Sequence, residues 1–139
     1  MPKFCNAQRV LLADDFPQIL DEAEQLLRND YEIVGFAHDG EEALELCLTL
    51  NPDILVLDIA MPFLSGLEVA TRLKQLGCGS RIIFYTVQED PDYIETAFSL
   101  GASAYVFKWR IGTDLFSAID AALNGSTFTS PFPAHVGTP

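Results

Sequence analysis

Four short apolar runs in this 139-residue chain stop at polar residues, and those residues have chemistry to offer. The pair Asp14-Asp15 follows residues 10–13, Asp58 follows 54–57, Thr86 follows 82–85, and Lys108 follows 104–107. Carboxylates gathered in one pocket repel and raise one another's pKa, unless a hard divalent cation sits among them. Magnesium takes carboxylate, carbonyl and water oxygens in an octahedron and leaves room for phosphate oxygens. A carboxylate beside such an ion can attack phosphorus and form an acyl phosphate. An ammonium such as that of Lys108 neutralises phosphoryl oxygens, and a hydroxyl such as that of Thr86 donates to one of them. Taken singly, each residue has a plainer role: a helix cap for Asp14 or Asp15, a strand end for Thr86, a solvated charge for Lys108. The combination, in order and one strand each, carries the reading of metal-assisted phosphoryl transfer.

Positioning these groups requires strands that alternate with helices. Residues 10–13, 31–37, 54–57, 81–86 and 104–107 read as strands, and 54–57 is apolar without alternation, as a strand buried on both faces must be. Between them, Ile19, Leu20, Ala23, Leu26 and Leu27 recur at helical spacing behind Pro17, and Ala43, Leu44, Cys47 and Leu50 do so behind Asp39. Asp39 with Glu42 and Ser65 with Glu68 have the capping-box spacing, Asp90-Pro91 opens a fourth helix, and Thr113 is the expected cap of the last. Five strands alternating with five helices predict an open parallel α/β sheet covered on both faces. Ligands of such sheets bind beyond the carboxyl ends of the strands, where the polar stops would meet. Residues 1–7 read as an N-terminal arm, 8–124 as the folded domain. Residues 125–139, rich in Ser, Thr, Pro and Gly, read as a tail or linker with no fold of its own.

Composition narrows the partners. Eight basic against twenty acidic residues give a net charge of −12, a field that repels nucleic acid and anionic membrane surfaces, so neither is an expected partner of this domain. It suits a cation or a basic protein surface. Cys5, Cys47 and Cys78 share no metal-ligand spacing; Cys47 lies among apolar residues and reads as a small core residue, and a reducing, cytoplasmic setting is the expectation.

The sequence resembles the receiver domains of bacterial two-component response regulators. The likeness rests on Asp14-Asp15, on Leu55, Val56, Leu57 and Asp58 followed by Met61-Pro62 and Ser65-Gly66, on Thr86, and on Ala104 to Lys108 with Tyr105. It covers roughly residues 8–124 and implies a flavodoxin-like fold of five parallel strands in the order 2-1-3-4-5. By resemblance, Asp58 is the phosphoacceptor for a sensor histidine kinase's phosphohistidine. Asp15 is a direct Mg2+ ligand, Asp14 acts on the metal through water, and Ala60 offers its backbone carbonyl. Thr86 and Lys108 hold the phosphoryl group, and Tyr105 turns inward with Thr86 as the switch. Residues 101–108 and 114–131 look like the branch that carries a LuxR-type helix-turn-helix. That branch implies transcriptional output through a DNA-binding domain after the linker. The linker composition of the tail favours an excised receiver over a stand-alone one acting by protein-protein interaction, and a homodimer is one expected assembly. Val87 and Trp109 depart from the pattern, and Val87 is expected to narrow access to the phosphoryl group.

Rival readings lack parts. A haloacid-dehalogenase-like phosphatase needs an Asp two residues after its nucleophile, where Ala60 stands, and a flavin-binding flavodoxin needs a Ser/Thr/Gly loop where Asp14, Asp15, Phe16 and Pro17 stand. A receiver-like module that is never phosphorylated would not need the full set of residues. The expectation is a signalling switch and not a turnover enzyme.

Overall fold

A computed structural model describes residues 8–131. Six strands and five helices alternate along it: β1 (Arg9–Ala13), α1 (Pro17–Leu27), β2 (Glu32–Ala37), α2 (Gly40–Leu50), β3 (Ile54–Leu57), α3 (Gly66–Gln75), β4 (Arg81–Thr86), α4 (Pro91–Ser99), β5 (Ala104–Phe107), α5 (Ile111–Leu123) and β6 (Phe128–Thr129). All neighbouring strands are parallel and the order is β2-β1-β3-β4-β5-β6.

Period-two alternation sorts the central strands between two cores. Leu55, Leu57, Phe84, Tyr105 and Phe107 face α2, α3 and α4, meeting Ala43, Cys47, Val69, Leu73 and Ala97. Ile54, Val56, Ile83, Tyr85 and Val106 face α1 and α5, meeting Leu20, Ala23, Leu27, Leu115 and Ile119. Each such aliphatic side chain, fully buried, contributes about 1.5–3 kcal/mol of transfer free energy, which is why the β3 run tolerates no polar residue before Asp58.

The helix starts largely follow their sequence signals. Ser65 and Glu68 form a reciprocal capping box at α3, and Asp90 caps α4 through Asp92 N with Pro91 in the first turn. At α2, Asp39 accepts from Glu42 N, but Glu42 Oε1 reaches back to His38 N and not to Asp39, so only half of the expected box is there. Gly40 and Gly66 are sites of close approach: a Cβ on Gly66 would lie 2.1 Å from Asp58 O, and one on Gly40 would lie 1.9 Å from Leu64 O. These two glycines let α2 and α3 begin tight against the loop that follows Asp58.

Two expectations are corrected. The sheet has six strands and not five, because Gly125 (φ 75°) turns the chain back and Phe128–Thr129 pairs in parallel with Ala104 and Tyr105. The segment expected to be an unstructured tail therefore contributes a strand. It satisfies the outer edge of β5, as Phe128 N donates to Ser103 O at 3.1 Å and Ser130 N to Tyr105 O at 2.9 Å. The last helix begins at Ile111, two residues before the expected cap Thr113, because Lys108–Arg110 form a 3-10 turn that runs straight into it. Arg110 holds that start by pairing with Asp114 one turn on, Nε to Oδ2 at 2.6 Å and a second guanidinium nitrogen to Oδ1 at 3.2 Å.

Candidate functional site

Parallel register brings the polar stops together. Ala13 lies opposite Leu57, and each ladder continues one residue further: Asp58 N donates to Ala13 O at 3.1 Å and Asp14 N to Ala37 O at 3.0 Å. Asp14 and Asp58 are thereby neighbours at the carboxyl edge. Thr86 lies opposite Phe107, so Lys108, the next residue, leaves the sheet beside them.

Lys108 Nζ lies 2.6 Å from Asp14 Oδ2 and 3.0 Å from Asp58 Oδ2. Asp14, Asp58 and Thr86 are buried, at 0%, 3% and 0% exposure. One carboxylate oxygen from each of Asp14, Asp15 and Asp58 falls within 4.8 Å of the others. Asp58 Oδ1 accepts a long bond of 3.4 Å from Ala60 N, and Asp14 Oδ1 accepts from Phe16 N at 2.9 Å, which folds the loop after β1. Asp15 has no such support: its Oδ1 is buried and has no hydrogen-bond partner among the described residues.

Burial and mutual charge tune these groups. Burial raises the Asp58 carboxyl, with Lys108 opposing it and Asp14 adding to it. Burial also raises Asp15, offset in part by its own backbone amide and reinforced by the charge of Asp14. For Lys108, burial pulls the ammonium down, but the hydrogen bonds and charges of Asp14 and Asp58 outweigh it, and the net shift is upward. A cluster with three carboxylates and one ammonium carries surplus negative charge in a partly dry setting. Oxygen donors alone, one of them buried without a partner, fit a hard divalent ion such as Mg2+.

Thr86 and Tyr105 converge elsewhere, on Gln88. Thr86 Oγ1 accepts from Gln88 N at 3.3 Å and Tyr105 donates its hydroxyl to Gln88 O at 2.9 Å. Both side chains thus hold the loop after β4. Ala60 is exposed, two residues past Asp58. Val87 is 69% exposed, on the rim and not packed among the carboxylates. Trp109 stacks on Phe107 at 6.1 Å and packs against the Arg110 guanidinium.

Sequence reasoning passed over Tyr85. It alternates with Phe84 and Thr86, so its ring lies under the Lys108 ammonium, 5.3 Å from Nζ. Its buried hydroxyl has no hydrogen-bond partner among the described residues, and burial, then the nearby charge of Asp14, pushes its pKa well above the ordinary tyrosine value. Its signal was only the strand period, which marks it as core. Phe16, 57% exposed, flanks the ammonium from the other side.

Comparison with known proteins gives one answer. The model of the response regulator receiver domain matches residues 10–120. The uncharacterized transcriptional regulatory protein YvfU of Bacillus subtilis is 38% identical over 125 residues, covering 88% of this chain and 62% of that protein. The nitrate/nitrite response regulator NarL of Escherichia coli is 33% identical over 123 residues, covering 87% of this chain and 57% of NarL. The chain thus spans about three-fifths of the length of these relatives. Among solved structures, a LuxR-family two-component response regulator from Aurantimonas superposes with a TM-score of 0.85 at 33% identity, covering 91% of both chains. The isolated receiver domain of RcsB from Salmonella enterica, solved with the phosphomimetic BeF3−, gives 0.82 at 25% identity, covering 90% of this chain and 94% of that one. With its doubly wound sheet, its acidic cluster at the carboxyl edge and these matches, the chain belongs to the response regulator receiver domain family.

Proposed function

We propose that the chain is a phosphorylation-dependent signalling switch, in which Asp58 accepts a phosphoryl group from a histidine kinase's phosphohistidine. The observation that carries this is the placement of one nearly buried carboxylate, Asp58, against the Lys108 ammonium and two further carboxylates. An Asp58 oxygen attacks phosphorus, the P–N bond to the donor imidazole breaks, and the acyl phosphate forms on Asp58. Lys108 holds the incoming oxygens and exchanges its bonds to Asp14 and Asp58 for bonds to them. Thr86 gives up Gln88 N and donates its hydroxyl to a phosphoryl oxygen, and Tyr105 follows the loop inward. Asp14, Asp15, Asp58 and the Ala60 carbonyl would hold Mg2+, which when bound supplies positive charge to neutralise the phosphoryl oxygens.

The phosphorylated state then acts on a downstream output. YvfU is a transcriptional regulatory protein and NarL a response regulator, and both are longer than this chain, which supports control of transcription through a DNA-binding domain outside residues 1–139; a second copy of the chain is the proposed partner. The cytoplasm is the compartment that suits such a switch. Among the described residues no helix is long and apolar enough to cross a membrane. Incubation with acetyl phosphate and Mg2+ should add one phosphoryl mass to the protein and none to Asp58→Asn. Equal labelling of the variant refutes the assignment.

A further inference from the structure

At the end of the sheet where β3 and β4 begin, opposite the carboxylates, two thiols converge. Cys47 Sγ on α2 and Cys78 Sγ in the turn between α3 and β4 lie 3.9 Å apart. Both donate to Ser80 Oγ, each at 3.5 Å, and Ser80 in turn donates to Pro52 O at 2.6 Å. One hydroxyl anchored to the backbone therefore gathers both sulfurs. Cys47 is fully buried, whereas Cys78 is half-buried and lines a cleft of about 150 Å³ together with Lys74, Ser80 and Leu100.

The turn is open on its outer side. Cys78 stands between Gly77 and Gly79, and a Cβ added at either glycine would meet nothing within 4 Å. Bonded sulfurs lie about 2.05 Å apart, so the pair must roughly halve its separation, a change within reach of side-chain rotation and a small shift of that open turn.

We propose that Cys47 and Cys78 form a redox-active dithiol that a hydroperoxide converts to an intramolecular disulfide, tying α2 to the start of β4. Cys78, reached through the cleft, reacts first: its sulfur attacks the peroxide, the O–O bond breaks, and the products are a sulfenic acid on Cys78 and one alcohol or water. Cys47 then attacks the Cys78 sulfur, the S–O bond breaks, and the departing hydroxide leaves as water with the Cys47 proton. Two electrons pass from the sulfur pair to the peroxide. Burial raises the Cys47 thiol to about 12, which makes it a poor first target; its place 3.9 Å from the Cys78 sulfur is what favours the second, intramolecular step. The closed loop contains β3 and Asp58, and the crosslink restricts the unfolded chain. This inference is independent of what Asp58 does.

The test uses the full chain carrying Cys5→Ser, so that only the pair remains, treated with hydrogen peroxide. The expected product has lost two hydrogens, yields a linked Cys47–Cys78 peptide, reverts with dithiothreitol, and melts about 5–10 °C higher than the reduced protein. With Cys47→Ala added, Cys78 should stop at a sulfenic acid that dimedone captures. With Cys78→Ser added instead, Cys47 should stay reduced under the same treatment. The proposal is overturned if peroxide leaves both thiols open to alkylation, if it adds oxygens with no loss of hydrogens, or if it links only separate chains.

Discussion

Trp109 Nε1 donates to Glu89 Oε2 at 2.7 Å, so the turn that follows β5 is tied to the loop that follows β4. The same loop is held one residue earlier by Tyr105, whose hydroxyl donates to Gln88 O, and by Thr86. A displacement of Thr86 therefore reaches the tryptophan through a bond that is already in place. Beryllofluoride with Mg2+, standing in for the phosphoryl group, should shift or quench Trp109 emission, while Mg2+ alone gives a smaller change. Asp58→Asn should abolish the response and Glu89→Ala should weaken it. An unchanged spectrum in protein shown to bind beryllofluoride would confine Trp109 to packing.

Asp15 offers a test of the cation site through stability. Its folded pKa is raised, burial being the largest cause, so the native state favours the protonated form. Its charge then costs stability as pH rises above about 4 and through the raised value. Asp15→Asn should melt higher than wild type at pH 7 without divalent ions. Mg2+ at a hundredfold excess over its Kd should raise the wild-type melting temperature by about 10 °C and the variant's far less. The same response in both proteins would remove Asp15 from the site.

Lys108 compensates two nearly buried carboxylates. Lys108→Met should therefore destabilise the metal-free protein by about 3 kcal/mol, measured by urea unfolding, and Asp58→Asn added to it should recover part of the loss. The Lys108 pKa is raised in the fold, so its stabilising contribution is complete at neutral pH. That contribution fades only as pH rises past about 10 and through the raised value. A Lys108→Met protein as stable as wild type in the absence of metal would contradict the compensation.

Ser130 closes a clasp between β5, β6 and α5. Its hydroxyl donates to Asp114 Oδ2 at 2.6 Å and accepts from Phe107 N at 3.1 Å. Ser130→Ala should lower stability by about 1–2 kcal/mol, since it removes two buried hydrogen bonds, one of them to a carboxylate. The Asp114 pKa is lowered: burial pushes it up, but Arg110 and Ser130 prevail. Its contribution is thus present above about pH 4 and lost as pH falls through the lowered folded value. Denaturation curves of wild type and Asp114→Asn should converge below that pH, and a constant gap down to acid unfolding would exclude the linkage.

Much of the architecture was legible in the chain because it is written in local terms. Ile54 to Leu57 is an apolar run with no alternation, so it had to be a central strand, and the abrupt stop placed Asp58 at its end. Ser65, Asp90 and Pro91 announced their helices through caps that need only three or four residues to act. Strand ends carrying Asp14, Asp15, Thr86 and Lys108 could be read in the same way, and the parallel architecture sent them all to one edge.

What a parallel sheet does at that edge depends on register and twist, which are set by partners distant in sequence. Only the tertiary structure decided that Lys108 pairs with Asp14 and Asp58 while Asp15 is left with a buried oxygen unpartnered among the described residues. Only it turned Thr86 and Tyr105 to Gln88 and set Tyr85 under the ammonium. The sixth strand was illegible for a related reason. Two residues show no period, and Phe128–Thr129 is a strand because β5 presents an open edge and Ser130 finds Asp114. The two thiols make the same point. Cys47 read correctly as core, but its neighbour Cys78 comes from a turn that the sheet alone brings within 3.9 Å.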